Sequence, residues 1–216
     1  MHGETQPNDG GLARICAVGM AIAAGLIRLI PHPWNFTPVG ALGLFGGARL
    51  RWWWAYGLPL GVMVVSDMLL YALLGDKPFN LAVYACFALS VLWGRLLLRN
   101  GSARRIGVVA LLVGVQFFLV TNLSAWWTLS APVTQTDGTI LAAFYSRDLS
   151  GLIACYVAAL PFAATNAPPL GFFGNQLLGD LFYTGLLFGL YAVLRSGVLL
   201  PRRFRPPVAA STSSGR

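Results

Sequence analysis

Residues 106–128 read IGVVALLVGVQFFLVTNLSAWWT, an apolar block that contains no charged side chain. A helix of about 20 such residues crosses the roughly 30 Å hydrocarbon core of a bilayer. Similar blocks recur along the 216-residue chain, in which 56% of residues are hydrophobic and 10% are charged. Soluble domains contain about 25% charged residues. The sequence therefore predicts an all-α integral membrane protein.

The apolar blocks predict a bundle of six transmembrane helices that forms one domain over residues 12–200. Proline, glycine and charged residues mark the turns between the helices, and residues 130–148 are predicted to be an exposed polar loop. Residues 1–11 and the basic tail, residues 201–216, are predicted to be disordered and cytoplasmic. The predicted helices cover residues 12–30, 37–50, 53–74, 79–98, 106–128 and 176–194.

The positions of the basic residues predict the orientation of the bundle. With six spans and a cytoplasmic amino terminus, most arginines lie at or beyond cytoplasmic helix ends, as the positive-inside rule requires. Only Arg28, Lys77 and Arg147 lie toward the outside. A seventh span would place the tail sequence RRFRPP (residues 202–207) outside. Residues 151–173, which contain three prolines, are therefore predicted to form an interrupted re-entrant or interfacial segment before the last helix.

The distribution of charge and the lack of catalytic or metal-binding motifs argue against several classes of function. The net charge of +8 is distributed between the apolar blocks and not along one stripe, which indicates topology signals and no nucleic-acid partner. The three cysteines, Cys16, Cys86 and Cys155, lie within separate apolar blocks without metal-ligand spacing. No Ser–His or Cys–His pair is evident. The sequence therefore predicts no catalytic residues, no metal site and no cofactor.

Four predicted helices carry a polar group in the outer half of the membrane, and aromatic residues lie one helical turn away from most of them. Ionisable side chains are costly in hydrocarbon and normally face a bundle interior or a cavity. Polar groups that converge between aromatic walls are typical of a small-molecule pocket. The predicted substrate-binding residues are Arg28, His32, Trp34, Asn35, Asp67, Tyr71, Asn122, Trp126, Asp180 and Tyr183.

The same polar groups allow a second interpretation, an internal lock. In that case Arg28 pairs with Asp67 or Asp180 and only fixes the packing of the helices. The two interpretations make opposite demands on the surrounding space, because a binding site needs a void between these side chains and a lock does not.

A stripe of small residues lies on the first helix, formed by Ala13, Ala17, Ala21 and Gly25. Such stripes let two helix backbones approach closely in lipid, where the hydrophobic effect does not drive helix association. The sequence leaves two roles open: packing within the chain, or docking onto a helix of a partner subunit.

Five segments carry a resemblance to known proteins: RLIPHPWNFTPVGALGLFGGA (residues 28–48), VVSDMLL (64–70), QFFLVTNLSAWW (116–127), CYVAALPF (155–162) and GDLFYTGLLFG (179–189). They resemble an uncharacterised family of bacterial membrane proteins assigned to transport, which is itself similar to the substrate-binding S components of energy-coupling factor (ECF) transporters. The resemblance covers about residues 14–194. The segment NAPPLGFFGN (residues 166–175) departs from the pattern as an insertion.

The resemblance implies a six-helix S-component fold in the bacterial inner membrane, with an outward-facing site for a vitamin-like micronutrient. In S components, small residues on the first helix contact a transmembrane coupling subunit that paired ATPases energise. This chain has no GxxxxGK[ST] motif, so ATP-driven transport would require such partners. We therefore expect a non-enzymatic substrate-binding subunit of a micronutrient transporter with both termini in the cytoplasm. The alternative is a structural or assembly protein that transports nothing.

Overall fold

The computed structural model describes residues 9–33, 35–75, 79–134, 139–165 and 171–196. This part of the chain is all-helical apart from a small antiparallel hairpin, β1 (Val133–Thr134) and β2 (Ile140–Leu141), within the predicted polar loop. The predicted all-α class is confirmed. The helices are α1 (Asp9–Leu29), α2 (Val39–Arg49), α3 (Trp52–Leu74), α4 (Leu81–Leu97), α5 (Ala103–Leu129), α6 (Leu149–Thr165) and α7 (Gly171–Arg195).

Four of the described helices are long and apolar enough to cross a membrane, which makes the chain a multi-pass membrane protein. They cover Gly10–Leu29, Trp52–Leu74, Ala103–Leu129 and Phe173–Arg195. The predicted count of six is not reached by this criterion. The reason is length, because α2 has 11 residues and α4 has 17.

The shortest helix, α2, occupies the centre of the bundle. Every residue from Val39 to Ala48 is buried, and α2 contacts α1, α3, α4, α5 and α7. Its 11 residues extend about 16 Å, roughly half the hydrocarbon thickness. Gly40, near its start, lies against Asp180 of α7, which also contacts Gly114 of α5. Since Gly114 is 15 residues, or about 22 Å, before the end of α5, α2 begins far below that end of the bundle.

Glycines allow α2 and α4 to approach until their backbones touch. A Cβ atom at Gly94 of α4 would overlap the carbonyl oxygen of Leu44, and one at Gly47 of α2 would overlap that of Val91. No larger residue fits at either position without separating the two helices. This close approach of small residues is the usual means of tight helix packing in lipid.

The two ends of the bundle differ in charge. We name one the basic end, which carries Arg14, Arg49, Arg51, Arg95, Arg99, Arg104, Arg105 and Arg195. At this end Arg49 donates a hydrogen bond from Nη1 to the backbone oxygen of Arg99 (2.7 Å). The Arg95 guanidinium lies over the Trp52 ring, 5.1 Å from its centroid. The opposite end, which we name the cavity end, carries Arg28 and Arg147 among the described arginines.

Helix α6 runs antiparallel to α5. Trp126 near the end of α5 donates a hydrogen bond from Nε1 to the backbone oxygen of Ser146, just before α6 (3.1 Å). Farther along α6, the Tyr156 hydroxyl donates to the backbone oxygen of Leu119, which lies earlier in α5 (2.6 Å). Helix α6 therefore enters the bundle from the cavity end.

Helix α7 runs in the same direction as α6. Phe173 at its start packs against Phe118 of α5, with ring centroids 4.6 Å apart, and α7 ends at the basic end with Arg195. The predicted break at Pro161 is wrong, because α6 continues to Thr165. A proline removes one backbone hydrogen bond of a helix, and transmembrane helices tolerate this loss. The other two prolines of the predicted segment lie outside the described residues.

The small-residue stripe of α1 packs inside the chain. Ala13, Ala17 and Ala21 are buried in the main core cluster, which includes residues of α2 and α7. Gly25 is half-buried and lies at a groove between α1 and α3. Most of this face is thus covered by the chain's own helices. Of the two roles that the sequence left open, the structure shows packing within the chain.

We predict that Gly94→Ala destabilises the fold. In most helices this change gains about 0.5–1 kcal/mol, because alanine has the higher helix propensity. At Gly94 the added methyl group collides with the Leu44 carbonyl, so we expect a loss of about 1–3 kcal/mol. Chemical unfolding in detergent micelles measures the difference. Gly61→Ala is the matched control, since a Cβ there meets no atom within 4 Å. A G94A chain as stable as the G61A chain would contradict the packing described above.

Candidate functional site

A cavity of about 610 Å³ lies between α5, α6 and α7 toward the cavity end. We name it the aromatic cavity, because phenylalanine and tyrosine side chains form much of its wall. Its volume is within the range of about 300–1,000 Å³ that is usual for small-molecule sites. Its main lining residues are Asn35, Phe117, Phe118, Thr121, Asn122, Ala125, Phe144, Tyr145, Cys155, Phe173 and Gln176.

Three amide side chains face the aromatic cavity from three elements. Asn122 of α5 donates a hydrogen bond from Nδ2 to the backbone oxygen of Phe118 (2.8 Å), which leaves Oδ1 for another partner. Gln176 of α7 donates from Nε2 to Asp180 (2.7 Å), which likewise leaves Oε1. Asn35, in the loop after α1, adopts a left-handed backbone conformation with φ of 62°. Asparagine tolerates this conformation better than most residues.

A smaller cavity of about 240 Å³ adjoins the aromatic cavity. We name it the polar cavity, because Arg28, Asp67 and Tyr84 contribute to its wall. Both cavities are lined by Asn35, Phe117 and Gln176. These three side chains therefore form the partition between them.

An ion pair between Arg28 and Asp67 holds α1 against α3 at the polar cavity. Arg28 also donates a hydrogen bond from Nε to Ser66 Oγ (2.7 Å). The Tyr84 hydroxyl of α4 donates to Asp67 Oδ2 (2.8 Å). Both charged side chains are mostly buried, with 17% and 12% of their surface exposed. Of the two partners predicted for Arg28, the structure selects Asp67, and it adds Ser66 and Tyr84 to the network.

Asp180, predicted to bind substrate, lies below both cavities and does not line either of them. It is fully buried among α2, α5 and α7. Oδ2 accepts the hydrogen bond from Gln176, while Oδ1 has no partner among the described residues. Asp180 therefore reaches the cavities only through Gln176. Gln176 precedes Asp180 by four residues, or about one helical turn, so the sequence could have identified Gln176 as a neighbour of Asp180.

Two predicted aromatic residues lie away from the cavities. Tyr71 is 57% exposed on the surface of α3. Tyr183 is buried in the core, where its ring packs 5.2 Å from that of Phe36. Helical spacing correctly placed both near a polar residue along the helix axis. It did not predict which side of the helix each one occupies relative to the cavities.

The remaining predicted residues surround the cavity end. Trp126 is half-buried and is hydrogen-bonded to the loop before α6, as described above. His32 Nδ1 lies 2.8 Å from the backbone oxygen of Ile30, a local contact of the loop. Trp34 lies outside the described residues. Phe144 and Tyr145 come from a polar loop whose sequence gave no signal for a binding role.

Asp148 anchors the loop that supplies Phe144 and Tyr145. Its Oδ1 accepts hydrogen bonds from the Gly151 amide (2.8 Å), the Ser150 hydroxyl (2.7 Å) and the Ser146 hydroxyl (2.7 Å). These bonds, chiefly the one from Gly151, lower the pKa of Asp148 to about 2. The side chain is therefore ionised at neutral pH and caps the start of α6.

We predict that Asp67→Ala destabilises the protein by about 3–5 kcal/mol, because it leaves the Arg28 charge without its partner. Tyr84→Phe removes one hydrogen bond and should cost about 1 kcal/mol. Replacing both charges, in an R28M/D67L variant, should recover much of the loss. Thermal unfolding in detergent compares the variants. If D67A and Y84F had equal small effects, Arg28 and Asp67 would not be a buried structural pair.

Comparison with known proteins identifies a family but no activity. Residues 11–203 match a family of unknown function, DUF6580. No curated protein and no solved structure matches the chain. The family description does not include the similarity to S components or a role in transport. Because the match covers nearly all of the described residues, the chain belongs to the DUF6580 family.

Proposed function

We propose that this chain is the substrate-binding membrane subunit of an uptake transporter for a vitamin-like micronutrient, and that the aromatic cavity is its binding site. The observation that carries the proposal is a cavity of about 610 Å³ inside a small membrane protein, with amide groups of three separate elements on its wall. A protein that served only to pack helices would gain stability by filling such a space.

The lining favours a flat, neutral or weakly polar ligand. Phe117, Phe118 and Phe173 offer ring faces for stacking, and the amides of Asn122 and Gln176 offer hydrogen bonds without net charge. Arg28 pairs with Asp67 and is therefore not available as the main partner of a ligand carboxylate. A heteroaromatic ring system with a few polar atoms matches this set of side chains better than an anion does.

The charge difference between the ends supports an outward-facing cavity. The positive-inside rule places the basic end in the cytoplasm. The aromatic cavity then lies toward the outside of the bacterial inner membrane, where an uptake system captures its substrate. The short helix α2 is consistent with this arrangement, since it begins far below the cavity end and leaves the space above it to the loop that carries Asn35.

Helix directions support a six-helix topology of the S-component type. In this proposal α1 to α5 alternate in direction and α7 returns the chain to the cytoplasm, so that both termini are cytoplasmic. Helix α6 is then a re-entrant helix, because it runs in the same direction as α7. Energy would come from a coupling subunit with ATPases. Such a subunit would have to contact a surface other than the buried part of the α1 stripe.

A structural or assembly role is the second candidate, and one observation favours it. The network of Arg28, Ser66, Asp67 and Tyr84 joins three helices and satisfies its charges within the chain. It accounts for those residues as an internal lock. It does not account for the aromatic cavity, whose amides Asn122 and Gln176 keep oxygen atoms available.

We predict that the protein purified from its native membrane in mild detergent carries a small molecule that mass spectrometry detects. Ala125→Trp should fill the aromatic cavity from α5 and reduce the bound fraction about tenfold or more, since the indole occupies the ligand's space. Leu123→Trp is the matched control, because Leu123 lies on the same helix and is 47% exposed to its surroundings.

The same two variants also separate the candidate functions. A substrate-binding subunit loses its ligand in A125W and keeps it in L123W, while both variants fold. A purely structural protein carries no small molecule, and A125W then affects only the unfolding temperature. That second result would refute the uptake proposal.

A further inference from the structure

A third cavity, of about 730 Å³, lies between α5 and α7 at the basic end, away from the proposed substrate site. We name it the basic groove. Arg49 of α2 and Arg195 of α7 line it, and much of the rest of its wall is apolar. Gly185 and Gly189 of α7 are exposed along it, so the groove is open at the surface of the helix bundle.

The glycines that border the basic groove are not required for contacts between helices. A Cβ atom at Gly107, Gly185 or Gly189 would meet no other atom within 4 Å. In contrast, Gly47 and Gly94 are required where α2 touches α4. The groove glycines therefore border a space that the described part of the chain does not fill.

The Arg49 side chain brings a positive charge to the groove without a carboxylate to neutralise it. Its Cζ atom lies 5.9 Å from the ring centroid of Phe188 and 5.7 Å from that of Tyr191. Nη1 donates to the backbone of Arg99, whereas Nε is buried and has no hydrogen-bond partner in the described ranges. Within the described ranges, the salt bridge between Arg28 and Asp67 lies at the cavity end and does not involve Arg49. Arg49 thus offers charge and a donor to an anion.

A second unpartnered group lies deeper in the same groove. Thr184 is 1% exposed, lines the groove, and has no hydrogen-bond partner for Oγ1 among the described residues. Threonine hydroxyls within helices often bond to the carbonyl one turn earlier, and this one does not. Thr184 precedes Phe188 by four residues, so it lies about 6 Å nearer the membrane centre than the ring beside Arg49. An occupant that satisfied both groups would carry an anion and, about one helical turn deeper, an acceptor oxygen.

We propose that the basic groove binds an anionic phospholipid. Its phosphodiester lies against Arg49 and Arg195, a glycerol ester oxygen accepts from Thr184, and an acyl chain follows the wall at Gly185 and Gly189. Basic pockets between transmembrane helices on the cytoplasmic side are suited to anionic headgroups. A free phosphate ion would contact only the arginines, and it would leave Thr184 without an acceptor and the apolar wall empty. The groove opens on the bundle surface, from which a lipid can enter.

Lipid retention tests the proposal on the full-length protein. The protein is reconstituted in nanodiscs of phosphatidylglycerol or phosphatidylcholine. It is then released from the nanodiscs, and native mass spectrometry measures the mass of the protein with any lipid that it retains. We expect a retained phosphatidylglycerol and no retained phosphatidylcholine. Arg49→Gln and Gly189→Leu should each reduce the lipid-bound fraction about tenfold or more. Arg51→Gln and Gly19→Leu are the matched controls, because both residues are exposed and neither lines the groove.

The glycine variant keeps the test independent of misfolding. A leucine at position 189 extends into empty space, so G189L should fold and lose only the lipid, whereas R49Q also loses contacts with the loop after α4 and with α7. Retention of phosphatidylglycerol by folded G189L would overturn the proposal, as would equal retention of both lipids. Stabilisation by inorganic phosphate equal to that by phosphatidylglycerol would indicate a small-anion site and overturn it too. A protein subunit bound in the groove instead of lipid would have the same consequence.

Discussion

The contact between the backbones of α2 and α4 determines the rest of this structure. Gly47 and Gly94 let the two helices touch, and this contact holds an 11-residue helix at the centre of a bundle whose long helices have more than 20 residues. Because α2 ends at the basic end and is short, it cannot fill the other half of the bundle. The loop after α1 and the side chains of α5 and α7 border the space that remains, and that space contains both cavities of the candidate site.

Polar groups are arranged differently at the two ends. At the cavity end the charges of Arg28 and Asp67 neutralise each other, which leaves uncharged amides to face the larger cavity. At the basic end the Arg49 charge has no acidic partner among the described residues. A site whose neighbouring charges are paired suits a neutral solute, whereas the unpaired charge of Arg49 at a helix end suits the anionic surface of a membrane. The short helix α2 thus separates a region that suits a neutral solute from a region that suits an anionic lipid.

The sequence predicted the position of each feature along the membrane better than its direction around the helix axis. Apolar blocks and prolines located α1 to α5 within about three residues at each end, whereas α6 was predicted as an interrupted segment and not as a helix. The cost of an isolated buried charge limited the partner of Arg28 to Asp67 or Asp180, and only the packing of α1 on α3 selects Asp67. Asp180 shares the α7 segment with Gln176, but only the packing of Gly40 and Gly114 against it shows that its side chain lies below the cavities. The hydrogen bond from Tyr84 to Asp67 depends on how α4 packs on α3. No pattern in a single sequence predicts that contact between the two helices.

The most direct test of an outward-facing aromatic cavity is the reactivity of a thiol placed on its wall. In a chain whose three cysteines are replaced by alanine, N122C should react with a membrane-impermeant maleimide added to cells whose outer membrane, where present, has been made permeable. S196C, at the basic end, should react only after the inner membrane is opened. Labelling of N122C that also requires an opened inner membrane, or no labelling in any state, would contradict a cavity accessible from outside.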